Sequence, residues 1–190
     1  MVIRKKYRIE SAHIVRDAVS VRCSHSYHGH SGVIEVFFKA DGCDFETHLD
    51  NAGMIYDFGA FKKTIGSFID MFDHSVHLWE KDDPKSIKFF TEMNNRYIIL
   101  PCNPTAENYS LLFRDCINEI LDHSTFTNGE GNVRCSGVRY HETESGYAES
   151  EINDPVKFSL ADIKFSESTL LEATPELQKM ICDIKKEKRV

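Results

Sequence analysis

Residues 28–38 read HGHSGVIEVFF. Ile34, Val36 and Phe38 occupy even positions and Glu35 an odd one, the period of two expected of a half-buried strand. If the strand runs unbroken to its start, His28 and His30 share the apolar face, and Gly29 points the other way. Residues 2–13 alternate in the same manner: Ile3, Tyr7 and Ile9 against Arg4, Lys6, Arg8 and Glu10, with the stem of Lys5 snorkelling on the apolar side. His13 has the apolar parity. If the two strands pair, His13, His28 and His30 converge on one buried face, where each imidazole needs a partner. A Zn2+ ion supplies one partner for all three, and three histidines with an open fourth position make a catalytic zinc site. The competing reading is an HxH pair satisfied by ordinary core contacts.

Working outward, a loop over 16–27 joins the strands and carries CSHSYHGH (23–30). His25 has the wrong parity and reads as a surface histidine. Cys23 reads as a base or nucleophile if a nearby cation lowers its pKa, or as a small buried filler. After DNAGMIYDF (50–58) the period changes. Phe58, Phe61, Ile65, Phe68, Ile69 and Phe72 fall at helical spacing and predict a helix over 58–72, with Asp57 at its N-cap. Residues 79–103 are irregular, with a short helix expected around KDDPKS and an extra strand at RYIILP. A second helix is expected over 105–122 and two strands over 133–142 and 146–152, after the turn NGEGN. The order β-β-α-α-β-β predicts an α+β fold: an antiparallel four-stranded sheet with two helices on one face. The domain is expected over 1–152, with an insertion at about 79–103 and a C-terminal extension over 153–190, where Pro175–Lys188 reads as a helix.

A chain of 190 residues suits one domain and a tail. Its 41% hydrophobic and 28% charged content is ordinary for a globular protein. The net charge of −7 argues against broad binding to nucleic acid. No apolar run has the length of a membrane span. The start MVIRKKYRIESAH lacks the apolar stretch of a secretory signal, so a cytoplasmic location is expected. The cysteines at 23, 43, 102, 116, 135 and 182 are then reduced thiols, and none form a CxxC pair.

Three other places carry candidate chemistry. Asp73 next to His74 orients an imidazole for acid–base work only if a turn brings the two together; otherwise His74 is a helix C-cap. Glu142 in RYHETESGYAE shares parity with Val138 and Tyr140, and a carboxylate on that face needs a donor partner. A ring with two neighbouring N–H groups, such as an aminopyrimidinone, would serve. The alternative is an exposed strand end. Glu107 in PTAEN (104–108) lies in a helix's first turn, where the dipole alone favours it.

In order, SAHIV (11–15), Cys23 with HGH (28–30), GMIYDF (53–58), FDH (72–74), PTAEN and HET (141–143) resemble the 6-pyruvoyl-tetrahydropterin synthase / 6-carboxytetrahydropterin synthase family over about residues 1–150. The resemblance implies a tunnelling fold, whose subunits join sheets into barrel-like trimers that stack as a homo-hexamer. It implies zinc on His13, His28 and His30, and a pocket between subunits where Glu142 anchors the pterin ring and Thr105 and Glu107 line it. Cys23, with Asp73 and His74 of a neighbouring subunit, would be the proton-transfer set. The implied activity is that of a lyase acting on 7,8-dihydroneopterin triphosphate. The carboxy branch releases acetaldehyde and triphosphate, and its product feeds deazaguanine and queuosine synthesis. The pyruvoyl branch eliminates triphosphate alone. Three residues usually separate the cysteine from HGH in the carboxy branch and five in the pyruvoyl branch; here there are four, Ser24 to Tyr27. The carboxy branch is the leading expectation, with the pyruvoyl lyase and a non-catalytic pterin-binding member as alternatives. A binding module needs Glu142 but not Cys23.

Overall fold

The computed structural model describes residues 1–41 and 47–188; Cys43 lies outside the described residues. β1 (Ile3–His13) pairs antiparallel with β2 (His28–Asp41) in a register that sets Ile9 opposite Gly32, Ser11 opposite His30 and His13 opposite His28. β5 (Asn132–Thr143) lies on the other side of β2, and β6 (Gly146–Glu151) beyond it, both antiparallel. These form the expected antiparallel block. Ile9, Ile34, Val36, Phe38 and Val138 are fully buried on its inner face, as their parity requires.

The sheet does not stop at four strands. β3 (Ser75–Trp79) and β4 (Tyr97–Leu100) add in parallel beyond β1, and β7 (Lys164–Phe165) closes the row antiparallel to β4. The result is one seven-stranded mixed sheet in the order β6-β5-β2-β1-β3-β4-β7, which corrects the four-stranded expectation. The added strands come from the segment after Asp73 and His74, the insertion and the C-terminal extension. β3 escaped periodicity because Ser75, His77 and Leu78 are all buried, and a buried five-residue strand has too few positions to define a period.

The helix expected over 58–72 is also corrected. It comes as a 3-10 turn at Ala60–Lys63 and then α2 (Ile65–Asp70), separated by Thr64 at φ −119° and ψ −85°. Phe61, Ile65, Phe68, Ile69 and Phe72 are nevertheless buried, so the apolar stripe survives the break. Asp57 caps a tighter turn than expected, its Oδ1 accepting from Gly59 N at 2.6 Å. The loop after β1 contains one helical turn, α1 (Val21–His25). The insertion folds as α3 (Pro84–Met93), N-capped by Asp83, followed by β4.

α4 (Ala106–Asp122) crosses the inner face and is N-capped by Thr105. Its stripe of Tyr109, Leu112, Phe113, Cys116, Ile117, Ile120 and Leu121 is buried. Arg114 and Asp115 on the same helix are also buried, and they bind the extension. Arg114 Nη1 donates to the Glu151 carbonyl at 2.6 Å and Nη2 to that of Pro155 at 3.1 Å. Asp115 Oδ2 accepts from Lys157 N and Phe158 N at 2.9 and 3.1 Å. Past this point come β7, α5 (Glu167–Glu172) and α6 (Pro175–Glu187). Leu160, Ile163, Leu177, Ile181 and Ile184 of this segment join the core, each stabilising the fold by about 1.5–3 kcal/mol.

Candidate active site

The register of β1 and β2 brings three imidazoles to one end of the inner face. The ring centroids of His13, His28 and His30 lie 4.9–5.1 Å apart. One ligand nitrogen from each falls within 4.8 Å of the others. His13 is 2% exposed and packs against the Tyr109 ring. The outer nitrogens of His28 and His13 are committed to backbone. His28 Nδ1 donates to the Ser26 carbonyl at 2.9 Å, and His13 bonds the Pro104 carbonyl. The inner ones are not: Nε2 of His13 and Nε2 of His30 are buried without a hydrogen-bond partner.

Such orphaned nitrogens cost about 1–3 kcal/mol each if nothing meets them. A cation meets them together, and the backbone bonds on the far nitrogens fix the tautomers a metal requires. The donor set therefore fits a metal ion. Burial, with the neighbouring His30 and His28 rings, lowers the His13 pKa to about 3, so its lone pair is available at neutral pH. Burial likewise lowers that of His30. Glu142 shares the face, its Oε1 3.6 Å from His13 Nε2. Gly29 is exposed on the opposite side, and His25 is a surface residue bonded through Nδ1 to Ser24 Oγ at 2.8 Å.

Asp73 and His74 occupy the turn between α2 and β3. His74 adopts φ +53°, the left-handed conformation that a non-glycine residue rarely takes. That turn lets adjacent side chains meet: His74 Nδ1 bonds Asp73 Oδ2 at 2.8 Å. It is stapled to β1, since Glu10 N donates to Asp73 Oδ1 at 2.6 Å and His74 N to the Glu10 carbonyl at 2.7 Å. Burial works against the Asp73 charge, but the bonds from Glu10 N–H and His74 outweigh it, and its pKa lies below the ordinary value. The His74 side chain itself is 74% exposed.

Cys23 lies in α1 on the loop that returns to His28. Its carbonyl accepts from Val15 N at 3.0 Å, two residues past His13. Thr105 Oγ1 is engaged as the cap of α4, accepting from Asn108 N at 3.3 Å. Glu107 is exposed and lines a shallow groove with Ser110, Ala148, Glu149 and Lys157, apart from the imidazoles.

The sequence reading missed a buried pair behind the site. His77 is fully buried; its Nδ1 bonds Tyr109 Oη at 2.5 Å, and its Nε2 bonds Ser75 Oγ at 2.9 Å. The signal was available as two polar-tipped rings on otherwise apolar faces.

Comparison with known proteins bears on this arrangement. The profile of the 6-pyruvoyl tetrahydropterin synthase family matches residues 2–153. The chain belongs to that family. It is 40% identical over 154 residues to the 6-carboxy-5,6,7,8-tetrahydropterin synthase of Helicobacter pylori strain J99, covering 81% of this chain and 74% of that protein. It is 30% identical to the protein of the same name from Rickettsia typhi, over 64% of this chain and 80% of that one. Among solved structures, an uncharacterised Wolinella succinogenes protein superposes with a TM-score of 0.57 at 17% identity, covering 80% of this chain and 98% of that one. Plasmodium vivax 6-pyruvoyltetrahydropterin synthase superposes with a TM-score of 0.54 at 14% identity, covering 79% and 97%. At those identities the superpositions speak to the fold alone. The family match ends at 153, so the clamp of Arg114 and Asp115 joins the family domain to the C-terminal extension.

Proposed function

We propose that this chain is a zinc-dependent 6-carboxytetrahydropterin synthase, a lyase converting 7,8-dihydroneopterin triphosphate and water to 6-carboxytetrahydropterin, acetaldehyde and triphosphate for deazaguanine and queuosine synthesis in the cytoplasm. The observation that carries the reading is the pair of orphaned buried nitrogens on His13 and His30, facing His28 and the Glu142 carboxylate. His13, His28 and His30 would hold the zinc. The chemistry such an ion supplies is Lewis-acid polarisation of bound oxygen, here the hydroxyls of the substrate side chain.

The protein's own groups would do the rest. Glu142 accepts from neighbouring N–H groups of the pterin and fixes the ring. Cys23 takes the proton from the side-chain carbon. His74, charge-supported by Asp73, holds or returns a proton at Nε2 while Nδ1 stays on the carboxylate. Thr105 and Glu107 support the pocket, Thr105 by capping the helix that backs His13.

An exposed Asp73–His74 pair finds its use in an oligomer that presents it to another subunit's site. The sheet supports such assembly. Apart from Ser11 and Ala12, β1 has no strand partner on its second side among the described residues, and β6 is an edge strand. Both edges are open to strand pairing between copies, as a barrel-like trimer and a hexamer of two trimers require. No described helix is long and apolar enough to cross a membrane.

The test is incubation of the zinc-loaded protein with 7,8-dihydroneopterin triphosphate and identification of the products. Acetaldehyde with a carboxypterin is expected. A pyruvoyl pterin would assign the other branch, and no turnover by well-folded, zinc-replete protein would leave a pterin-binding module.

A further inference from the structure

The loop that carries Cys23 is held from outside by the insertion, at both of the insertion's ends. Asp82, just before α3, has a side chain only 2% exposed. Its Oδ1 accepts from Arg16 Nε at 2.7 Å and from Asp83 N at 2.7 Å; its Oδ2 accepts from Tyr27 Oη at 3.1 Å. Arg16 opens the loop and Tyr27 closes it, so one buried carboxylate ties both ends. Arg16 Nη1 also reaches the Ser24 carbonyl at 3.3 Å, next to Cys23. At the far end of the insertion, Asn103 Oδ1 accepts from Arg16 N at 3.1 Å and Asn103 Nδ2 donates to the Arg16 carbonyl at 2.7 Å. In the middle, the Tyr27 ring packs on Phe90 of α3 with centroids 4.0 Å apart.

A buried carboxylate with three donors is costly to assemble unless all are present, so these contacts form or fail together. Tyr27 is also the last of the four residues between Cys23 and the HGH strand start, so its position bears directly on the segment that carries the thiol. A thiol carried on a loop needs a means of fixing it, and a misplacement of about 1 Å in a reacting group costs on the order of a hundredfold in rate.

We propose that the insertion is a clamp that positions the Cys23 thiol, with Asp82 and Tyr27 as positioning residues. This rests on the reading of Cys23 as the proton acceptor. The test uses the zinc-loaded full chain and two variants: Asp82→Asn, which removes the shared charge, and Tyr27→Phe, which removes only the hydroxyl and keeps the ring on Phe90. Iodoacetamide labelling is followed by peptide mass spectrometry, with exposed Cys182 on α6 as the internal reference.

In both variants the Cys23-to-Cys182 labelling ratio is expected to rise about fivefold, the effect of releasing one or two hydrogen bonds. Turnover number is expected to fall about tenfold with KM changed less than about twofold, the pattern of a misplaced reacting group. Bound zinc should be unchanged. An unchanged labelling ratio in Tyr27→Phe and Asp82→Asn overturns the clamp. A raised ratio with unaltered turnover overturns its catalytic purpose. Cys23→Ala separates the two readings: full turnover there removes Cys23 as the base, whatever the labelling shows about the loop.

Discussion

Lowering the pH from 7 to 5 should destabilise the metal-stripped protein by about 2 kcal/mol through His77 alone. This β3 imidazole is 0% exposed, with Nδ1 on the Tyr109 hydroxyl of α4 and Nε2 on Ser75 Oγ. Burial lowers its pKa to about 4, against about 6.5 for an unfolded histidine. The folded state therefore refuses a proton that the unfolded chain accepts. Its contribution is intact above about pH 6.5 and drains away as the pH falls toward 4. At pH 5 an unfolded imidazole is about 97% protonated and this one about 9%, which gives the figure of about 2 kcal/mol. The assay is urea denaturation of the parent and His77→Gln at both pH values, with metal removed from each. His13 also refuses a proton, but it does so in both chains and cancels in the difference. The variant should lose about 2 kcal/mol less than the parent on acidification. Equal losses would refute the claim that His77 is buried neutral.

Replacing His28 with Ala should remove most of the bound zinc, expected at about one ion per subunit in the parent; full retention by elemental analysis would unseat the ligand assignment. Asp115→Asn leaves the Arg114 guanidinium, 2% exposed, with only the half-exposed Asp154 carboxylate at 3.7 Å as a charge partner, and should cost about 3 kcal/mol in urea denaturation; a loss below about 1 kcal/mol would mean that Asp154 and solvent replace the lost charge. His74→Gly relieves the φ of +53° and should keep or raise the melting temperature by a degree or two, worth under about 1 kcal/mol, while abolishing turnover. Retained turnover would remove His74 from the proton-transfer set.

The triad was legible because parity is a geometric rule. Once His13 and His28 lie on the apolar sides of two paired strands, the β1–β2 register leaves them no other place to go. The Asp73–His74 contact was legible only as a condition, because the left-handed turn that joins them has no fixed residue signature when histidine occupies it. β3 was illegible for lack of alternation, and the break at Thr64 because the apolar stripe is the same with and without it. Asp115 and Glu119 look in sequence like the solvated face of a helix. In the fold they accept backbone N–H groups of Lys157, Phe158 and Leu160. Hydrophobic pattern reports which face is buried against apolar groups, and it has no term for carboxylates buried against backbone.

α4 explains why the added segments and the site share one body. Its first turn backs the imidazoles: Thr105 caps it, the Pro104 carbonyl holds His13, and Tyr109 stacks on the His13 ring. One turn further on, Arg114 and Asp115 fasten residues 151–158. Before it, Asn103 closes the insertion onto Arg16 while Asn108 Nδ2 donates to the Asn103 carbonyl at 2.9 Å. The helix is thus a beam with the three imidazoles and the Asn103–Arg16 contact at one end and the extension at its middle. Loosening the middle with Asp115→Asn removes stability without touching the three histidines or the contacts of Asp82. The folded fraction of that variant should therefore keep the parent's zinc content and Cys23 labelling ratio. Tyr27→Phe should do the reverse, changing the labelling ratio with only about 1 kcal/mol of stability lost. Distances along α4 thus separate holding the fold together from holding the thiol in place.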